Sequence, residues 1–162
     1  MTKLISDNLS YVLSEQIGHE KYNANLYLFI GAFLKNKGFE HIAKFFEGQH
    51  DEETSHAMMI YNLLTDLNAP VVIPEIPRFE ISFDSIIDIA HQYLNREILT
   101  TESLNDIKKL AIDEDNPVVE ERMREMIKLQ QNEYAEATDF LDKAELTGGD
   151  WWKVMVWDMD IE

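Results

Sequence analysis

The sequence contains no cysteine. That excludes disulfide scaffolds, Cys-type zinc sites, iron–sulfur clusters and thiol catalysis. Backbone breakers are few, with six Gly and four Pro in 162 residues, so long unbroken helices are open to the chain. Positive charge is scarce as well. Fourteen Lys and Arg stand against 31 Asp and Glu, a formal net charge of −17. A chain of that sign lacks the basic face that neutralises phosphates, so nucleic acid is not an expected partner. Anionic membrane surfaces are excluded on the same ground. No stretch approaches the roughly 20 apolar residues of a membrane span. The aromatic tail from Trp151 to Trp157 is too short, and Asp158 and Asp160 follow it. The start, Met1 to Asp7, has no long apolar run and no small-residue cleavage site, so no secretory leader is expected. These absences fit a cytosolic protein.

What is present is enough for a packed fold: 45% of the chain is hydrophobic and 10% aromatic. The length suits one domain over residues 1–162, with a core that needs no staple. The acid excess therefore sits on a folded protein. It is either a solvated surface or an attractor of cations.

Helical periodicity fills the gaps between breakers. The spacing predicts a first helix from Ser6 or Asp7, both good N-caps, to about Lys37, with a tight turn at Gly38. A second helix is predicted from Phe39 to about Leu67. Asn68 to Ser82 holds Pro70, Pro74 and Pro77 and cannot be helical. A third helix is expected from Phe83 to Ile112, with Asp84 near its start. Pro117 suits the first position of a fourth, which runs to about Leu146 before Gly148 and Gly149. A short fifth helix is expected over about 149–160. The middle connection, about 15 residues, spans up to roughly 50 Å when extended. A helix of about 29 residues is roughly 43 Å long. The fold class is therefore all-α: a four-helix bundle over about 6–146, with one long crossover running its length.

The core-facing stripes at three- and four-residue steps carry the chemistry. Helix one presents Leu13, Ile17, Glu20, Ala24, Tyr27, Gly31 and Leu34. Helix two presents Ile42, Phe46, Gln49, Glu53, His56, Ile60 and Leu63. Helix three presents Ile86, Ala90, Tyr93, Glu97, Thr100, Leu104 and Ile107. Helix four presents Val119, Met123, Met126, Gln130, Glu133, Ala137, Phe140 and Ala144. Each stripe is mostly apolar, and each holds one Glu near mid-helix.

A single such Glu has an ordinary reading as part of a solvated face. Four at matching depth would be very costly if buried together without compensation. Cations remove that cost. Oxygen donors with one imidazole suit iron, manganese or zinc. Glu53 and His56 lie at i, i+3, one turn apart on one face, as do Gln130 and Glu133. Glu53 can bridge two metals while His56 binds one, with Glu20 and Glu97 capping from opposite sides. His19, His41, His50 and His91 have no such context and are expected at the surface. Tyr27 is either a core aromatic or a hydrogen-bonding or redox-active group beside the metals. Met58, Met59, Met123 and Met126 read as packing residues rather than haem ligands.

This pattern resembles the ferritins of the haem-free prokaryotic type. The residues that carry the resemblance are Glu20 followed by Tyr27, the block Glu52-Glu53-Thr54-Ser55-His56, Glu97, Gln130-x-x-Glu133, the Pro-rich crossover and the short C-terminal helix. It implies a ferritin-like bundle with a di-iron ferroxidase centre, two Fe per chain. One iron site would be Glu20, Glu53 and His56. The other would be Glu53, Glu97 and Glu133, with Gln130 alongside and Tyr27 beside the centre. The second E-x-x-H on helix four found in bacterioferritins and rubrerythrins is missing, which favours ferritin proper without haem. Glu52 matches one ligand of the third iron site of that family, but the further positions on helix four are Leu129 and Asn132 here. The resemblance also implies Fe²⁺ oxidation by O₂ or H₂O₂, cytoplasmic storage as a ferric mineral, and a homo-oligomeric shell of 24 subunits. The aromatic fifth helix would dock on the bundle or, as the resemblance favours, pack around a symmetry axis. Two other readings use the same residues. One is a di-iron or dimanganese oxidase acting on a small substrate. The other is a metal-free acidic scaffold, in which the four glutamates need not converge.

Overall fold

In the computed structural model, residues 2–161 are described, and they form five helices with no strand among them. Helix α1 spans Asp7–Asn36, α2 Glu40–Asp66, α3 Ile86–Asp113, α4 Pro117–Leu146 and α5 Trp151–Met159. The expected all-α bundle with one long crossover is what the chain adopts.

The ends of the helices follow from local chemistry. Ser6 caps α1 by accepting from the Leu9 amide, and its hydroxyl also reaches the Glu114 carboxylate in the α3–α4 turn. Asn116 caps α4 in the same way, with Pro117 at the first turn. Gly38, with φ at 91°, reverses the chain between α1 and α2. Helix α3 starts at Ile86 rather than Phe83, because Ser85 and not Asp84 supplies the capping oxygen, to the Asp88 amide. Phe83 instead belongs to the crossover, with its ring 5.1 Å from Phe33 and 6.0 Å from Phe29.

The crossover lies along α1. Val72 donates its amide to Ser14, Pro74 sits on Gly18, and Phe79 packs edge-on against Tyr22. A Cβ on Gly18 would lie 2.7 Å from Pro74 Cγ, so only glycine permits this approach. α1 is accordingly the most widely buried helix, since it faces α2, α3 and the crossover.

The core is split into two apolar clusters. One is rich in aromatics and includes Tyr27, Phe46, Tyr93 and Phe140. The other is aliphatic and includes Leu13, Ile17, Ile60, Leu104 and Met123. On every bundle helix the break between clusters falls at the same level. It lies between Ile17 and Leu26 on α1, Phe46 and Ala57 on α2, Tyr93 and Leu104 on α3, and Met126 and Ala137 on α4. A buried polar layer occupies that break.

α5 docks on the end of the bundle. Trp151 stacks on Phe39 at 5.5 Å, Trp157 meets Phe140 at 5.1 Å, and Val154 is fully buried. Its other face leaves Trp152 and Met159 exposed. Among the described residues no helix is long and apolar enough to cross a membrane.

Candidate metal centre

Every stripe residue read from the sequence is buried, on all four helices. Glu20, Glu53 and Glu97 are completely shielded, Glu133 is 5% exposed and His56 8%. The helices meet so that these side chains form two groups sharing Glu53. Glu20, Glu53 and His56 offer ligand atoms within 4.8 Å of one another, and Glu53, Glu97 and Glu133 do the same. The imidazole Nδ1 of His56 is 3.9 Å from both Glu20 and Glu53. These are the two sets of residues that the resemblance implies, and the fold brings the members of each set together.

The polar layer is only partly satisfied from within. Tyr27 donates its hydroxyl to Glu97 Oε1 at 2.5 Å, and Gln130 donates to Glu97 Oε2 at 2.6 Å. Gln16 donates to Glu20 Oε1 at 3.1 Å. Both oxygens of Glu53, Oε2 of Glu20 and Oε2 of Glu133 have no hydrogen-bond partner. Buried polar atoms are rarely left so. Orphaned carboxylate oxygens that converge from several helices are what a cation-binding cage looks like without donors of its own.

The electrostatics agree. Burial, reinforced by Glu20, Glu97 and Glu133, raises Glu53 well above the usual carboxylate range. Burial lifts Glu97 to about 7, held back by the hydrogen bonds from Tyr27 and Gln130. Burial and the neighbouring Glu52 push Glu133 up to about 10. The Tyr27 hydroxyl is likewise raised, first by burial and then by Glu97 and Glu53, so it remains a donor. Burial without a compensating charge thus favours the protonated forms of Glu53, Glu97 and Glu133.

Around the glutamates lies a second set of polar residues, of which residue spacing placed only Thr100 on a core-facing stripe. His19, expected at the surface, is half-buried between α1 and α3. Arg96 donates to its Nδ1 at 3.1 Å, and a guanidinium can only donate, so the ring proton is on Nε2 and points at Thr100 Oγ1, 2.6 Å away. Burial lowers the pKa of His19 to about 4, which keeps it neutral. Asn23 completes the network by accepting from Arg96 at 2.6 Å and donating to Thr100 at 3.0 Å. His19 and Arg96 directly precede Glu20 and Glu97, so the network fixes the two helices at the level of the acids. His50 is half-buried, and His41 and His91 are exposed, outside the centre.

Glu52, matched by resemblance to a third-site ligand, is exposed and meets Glu133 and Glu136. Leu129 and Asn132 line the same cavity, of about 320 Å³, which opens beside His56. Glu136 was not among the expected residues. Its only signal in the sequence is its position one turn after Glu133.

The description "Ferritin-like domain" matches residues 12–147, and the chain belongs to that family. The resemblance to haem-free prokaryotic ferritins holds among curated relatives. The chain is 29% identical over 108 residues to the bacterial non-heme ferritin of Staphylococcus aureus, covering 67% of this chain and 65% of that one. It therefore spans slightly less than two thirds of that relative. It is 25% identical over 158 residues to a probable bacterial non-heme ferritin-like protein of Haemophilus influenzae, covering 98% and 96%. Among solved structures, the open pore ferritin of the archaeon Archaeoglobus fulgidus superposes with a TM-score of 0.91 at 22% identity, over 96% of each chain. An engineered closed form of the same ferritin gives 0.90 at 22% identity, over 96% of this chain and 95% of that one. These two likenesses show the fold.

Proposed function

We propose that the protein oxidises and stores iron in the cytoplasm. Two Fe²⁺ ions are its substrates, held between Glu20, Glu53 and His56 on one side and Glu53, Glu97 and Glu133 on the other. The observation that carries this reading is the set of orphaned oxygens on Glu20, Glu53 and Glu133, converging inside an otherwise apolar bundle. Glu53 has both oxygens free and lies in both groups, which suits a bridge. His56 supplies the one nitrogen, and Gln130 and Tyr27 hold Glu97 by donating to it.

The chemistry balances with either oxidant. Two Fe²⁺ give one electron each to O₂, which takes up two protons and leaves as H₂O₂. With H₂O₂ as oxidant, the same two electrons and two protons give two waters. A pair of metals on one shared carboxylate is suited to such a two-electron step. The product Fe³⁺ is harder than Fe²⁺ and favours the oxygen-rich donor set. The protons displaced from Glu97 and Glu133 on metal binding go to solvent. Retention of the oxidised iron as mineral within a shell of many copies is the remaining part of the proposal, supported by family membership. The exposed face of α5, with Trp152 and Met159, offers apolar surface for contact between copies.

Anaerobic titration with Fe²⁺ followed by O₂ tests the reading. Two Fe²⁺ per chain, rapid oxidation and iron retained in a large soluble particle are expected. No binding, or binding unchanged by Glu53→Ala with His56→Ala, overturns it. A large particle is checked separately by size exclusion, where elution as a monomer removes the shell and leaves the oxidation step standing.

A further inference from the structure

The two ligand groups are built from the bundle's hairpins in different ways. Glu20, Glu53 and His56 all stand on α1 and α2, which the turn at Gly38 joins. Glu53, Glu97 and Glu133 draw on α2, α3 and α4. The first group therefore lies within one hairpin. The second exists only while the two hairpins keep their register. At the level of the acids that register is held by His19 and Asn23 on α1 with Arg96 and Thr100 on α3.

Four hydrogen bonds cross between the helices in this network, and every proton in it has one place. The Arg96 guanidinium only donates, so Asn23 Oδ1 and His19 Nδ1 accept. Asn23 Nδ2 and His19 Nε2 then both donate to Thr100 Oγ1. The Thr100 proton goes to the Arg96 carbonyl at 2.9 Å. None of the four side chains can turn without breaking two of these bonds. Asn23 and Thr100 are completely buried. Arg96 also lies over the Tyr22 ring at 4.3 Å, and Tyr22 meets Phe79 of the crossover. The segment that joins the two hairpins thus backs the network that aligns them.

We propose that Arg96, His19, Asn23 and Thr100 are positioning residues for the second metal ion, holding Glu97 where it closes a site with Glu53. This role rests on the dinuclear reading and assigns the network to one ion of the pair. The acids themselves divide in the same way. Glu20 and Glu97 follow His19 and Arg96 in sequence, and accept from Gln16, Tyr27 and Gln130. On α2 and α4, both oxygens of Glu53 and Oε2 of Glu133 have no partner. The α1–α3 pair thus supplies ligands fixed in place, and the α2–α4 pair supplies ligands free to adjust to the ions. Removing partners that orient a ligand typically weakens metal binding about 10- to 100-fold. Here the loss falls on the ion that needs both hairpins and spares the one held within α1 and α2.

Calorimetric titration of the full chain with Mn²⁺, followed by electron paramagnetic resonance of the loaded protein, tests this. The unaltered chain should bind two ions that are magnetically coupled. Arg96→Lys keeps the charge but not the planar fork that reaches Asn23 and His19 together. Thr100→Val keeps nearly the same shape but loses the hydroxyl. In both variants the first ion should bind as before and the second about 10- to 100-fold more weakly. The coupled signal should give way to that of single Mn²⁺. Retention of the first ion shows in the same titration that the variant is folded. A loss shared by both ions, a loss confined to the first, or normal binding of both in either variant overturns the positioning role and leaves the dinuclear reading in place. Unaltered protein that binds fewer than two ions overturns the dinuclear reading and this role with it.

Discussion

Tyr27 Oη donates to Glu97 Oε1 at 2.5 Å, a bond between α1 and α3 across the middle of the bundle. The tyrosine ring is fully buried and packs edge-on against Tyr93 at 5.2 Å. One residue thereby joins the aromatic cluster to the polar layer. Its ring packs as a core aromatic while its hydroxyl finds a buried hydrogen-bond partner in Glu97.

Tyr27→Phe keeps the ring and deletes the donor. Glu97 Oε1 then loses the Tyr27 donor, its only one among the described residues, which costs about 1–3 kcal/mol for a buried acceptor. Removing a bond that lowers the Glu97 pKa also lets it climb above about 7. Denaturant unfolding of the metal-free protein should show the loss. Metal binding at neutral pH should weaken, because the second group must then give up a more tightly held proton. An unfolding midpoint and a metal affinity both unchanged would contradict this role.

Much of this arrangement was legible in the sequence, for a physical reason. Each helix buries one stripe, and the 3.6-residue period marks that stripe whatever lies opposite. The buried residues of α4 are Val119, Met123, Met126, Gln130, Glu133, Ala137, Phe140 and Ala144, the stripe drawn from spacing alone. Periodicity does not report the relations between helices. Glu136 is exposed on α4, and its neighbours Gln49 and Glu52 lie on α2, far from it in the chain. The neutral His19 depends on Arg96 and Thr100, well over seventy residues away in the chain. The fit of Gly18 to Pro74 depends on which face of α1 the crossover follows.

The elevated carboxylates set a pH dependence of definite sign. Glu97 at about 7 and Glu133 at about 10 hold protons in the folded state that the unfolded chain releases near 4.3. Between those values the folded state binds more protons, so stability falls as pH rises. The metal-free protein should be most stable near the acid end of that window. It should lose stability from about pH 5 through 7, and further toward 10. Bound divalent metal replaces the protons and should flatten or reverse the slope. Thermal melts across pH 5–9, with and without metal, measure both slopes, and a metal-free slope of opposite sign would refute the account.

Glu53→Gln separates stability from metal binding. Glu53 is completely buried with both oxygens unpartnered, and its neighbours are acids. A neutral amide of the same shape needs no proton to be uncharged, so it removes the cost of burying or protonating this carboxylate among acids. The same change removes the only residue present in both ligand groups. The expected variant is more stable than the unaltered chain without metal and gains less from added Fe²⁺ or Zn²⁺. A variant that is both less stable and still metal-stabilised would show that Glu53 is not the bridge.

Gly18→Ala tests how the crossover is held. The added Cβ would fall 2.7 Å from Pro74 Cγ, and a proline ring on a packed segment cannot swing aside. Overpacking of this kind costs about 1–3 kcal/mol. Pro74→Ala removes the opposing ring, so the double variant should recover part of the loss. The coupling energy from the double-mutant cycle is the measurement. Strict additivity would mean the two residues do not oppose each other.

The α5 docking hinges on Asp158. This carboxylate is 3% exposed and accepts from the Ile42 amide at 2.8 Å, with His41 Nδ1 3.4 Å from its other oxygen. Phe39, at the N-cap of α2, has no side chain able to do this. A residue 116 positions away therefore caps α2, and its charge also favours the positive end of the helix. Asp158→Ala leaves the Ile42 amide buried without a partner and should cost about 1–2 kcal/mol. Asp158→Asn keeps an acceptor and should cost less. Because the cap is also the latch, amide exchange should accelerate together in α5 and in the first turn of α2. Faster exchange in α5 alone would mean that Trp151 and Trp157 hold the helix and that the cap is incidental.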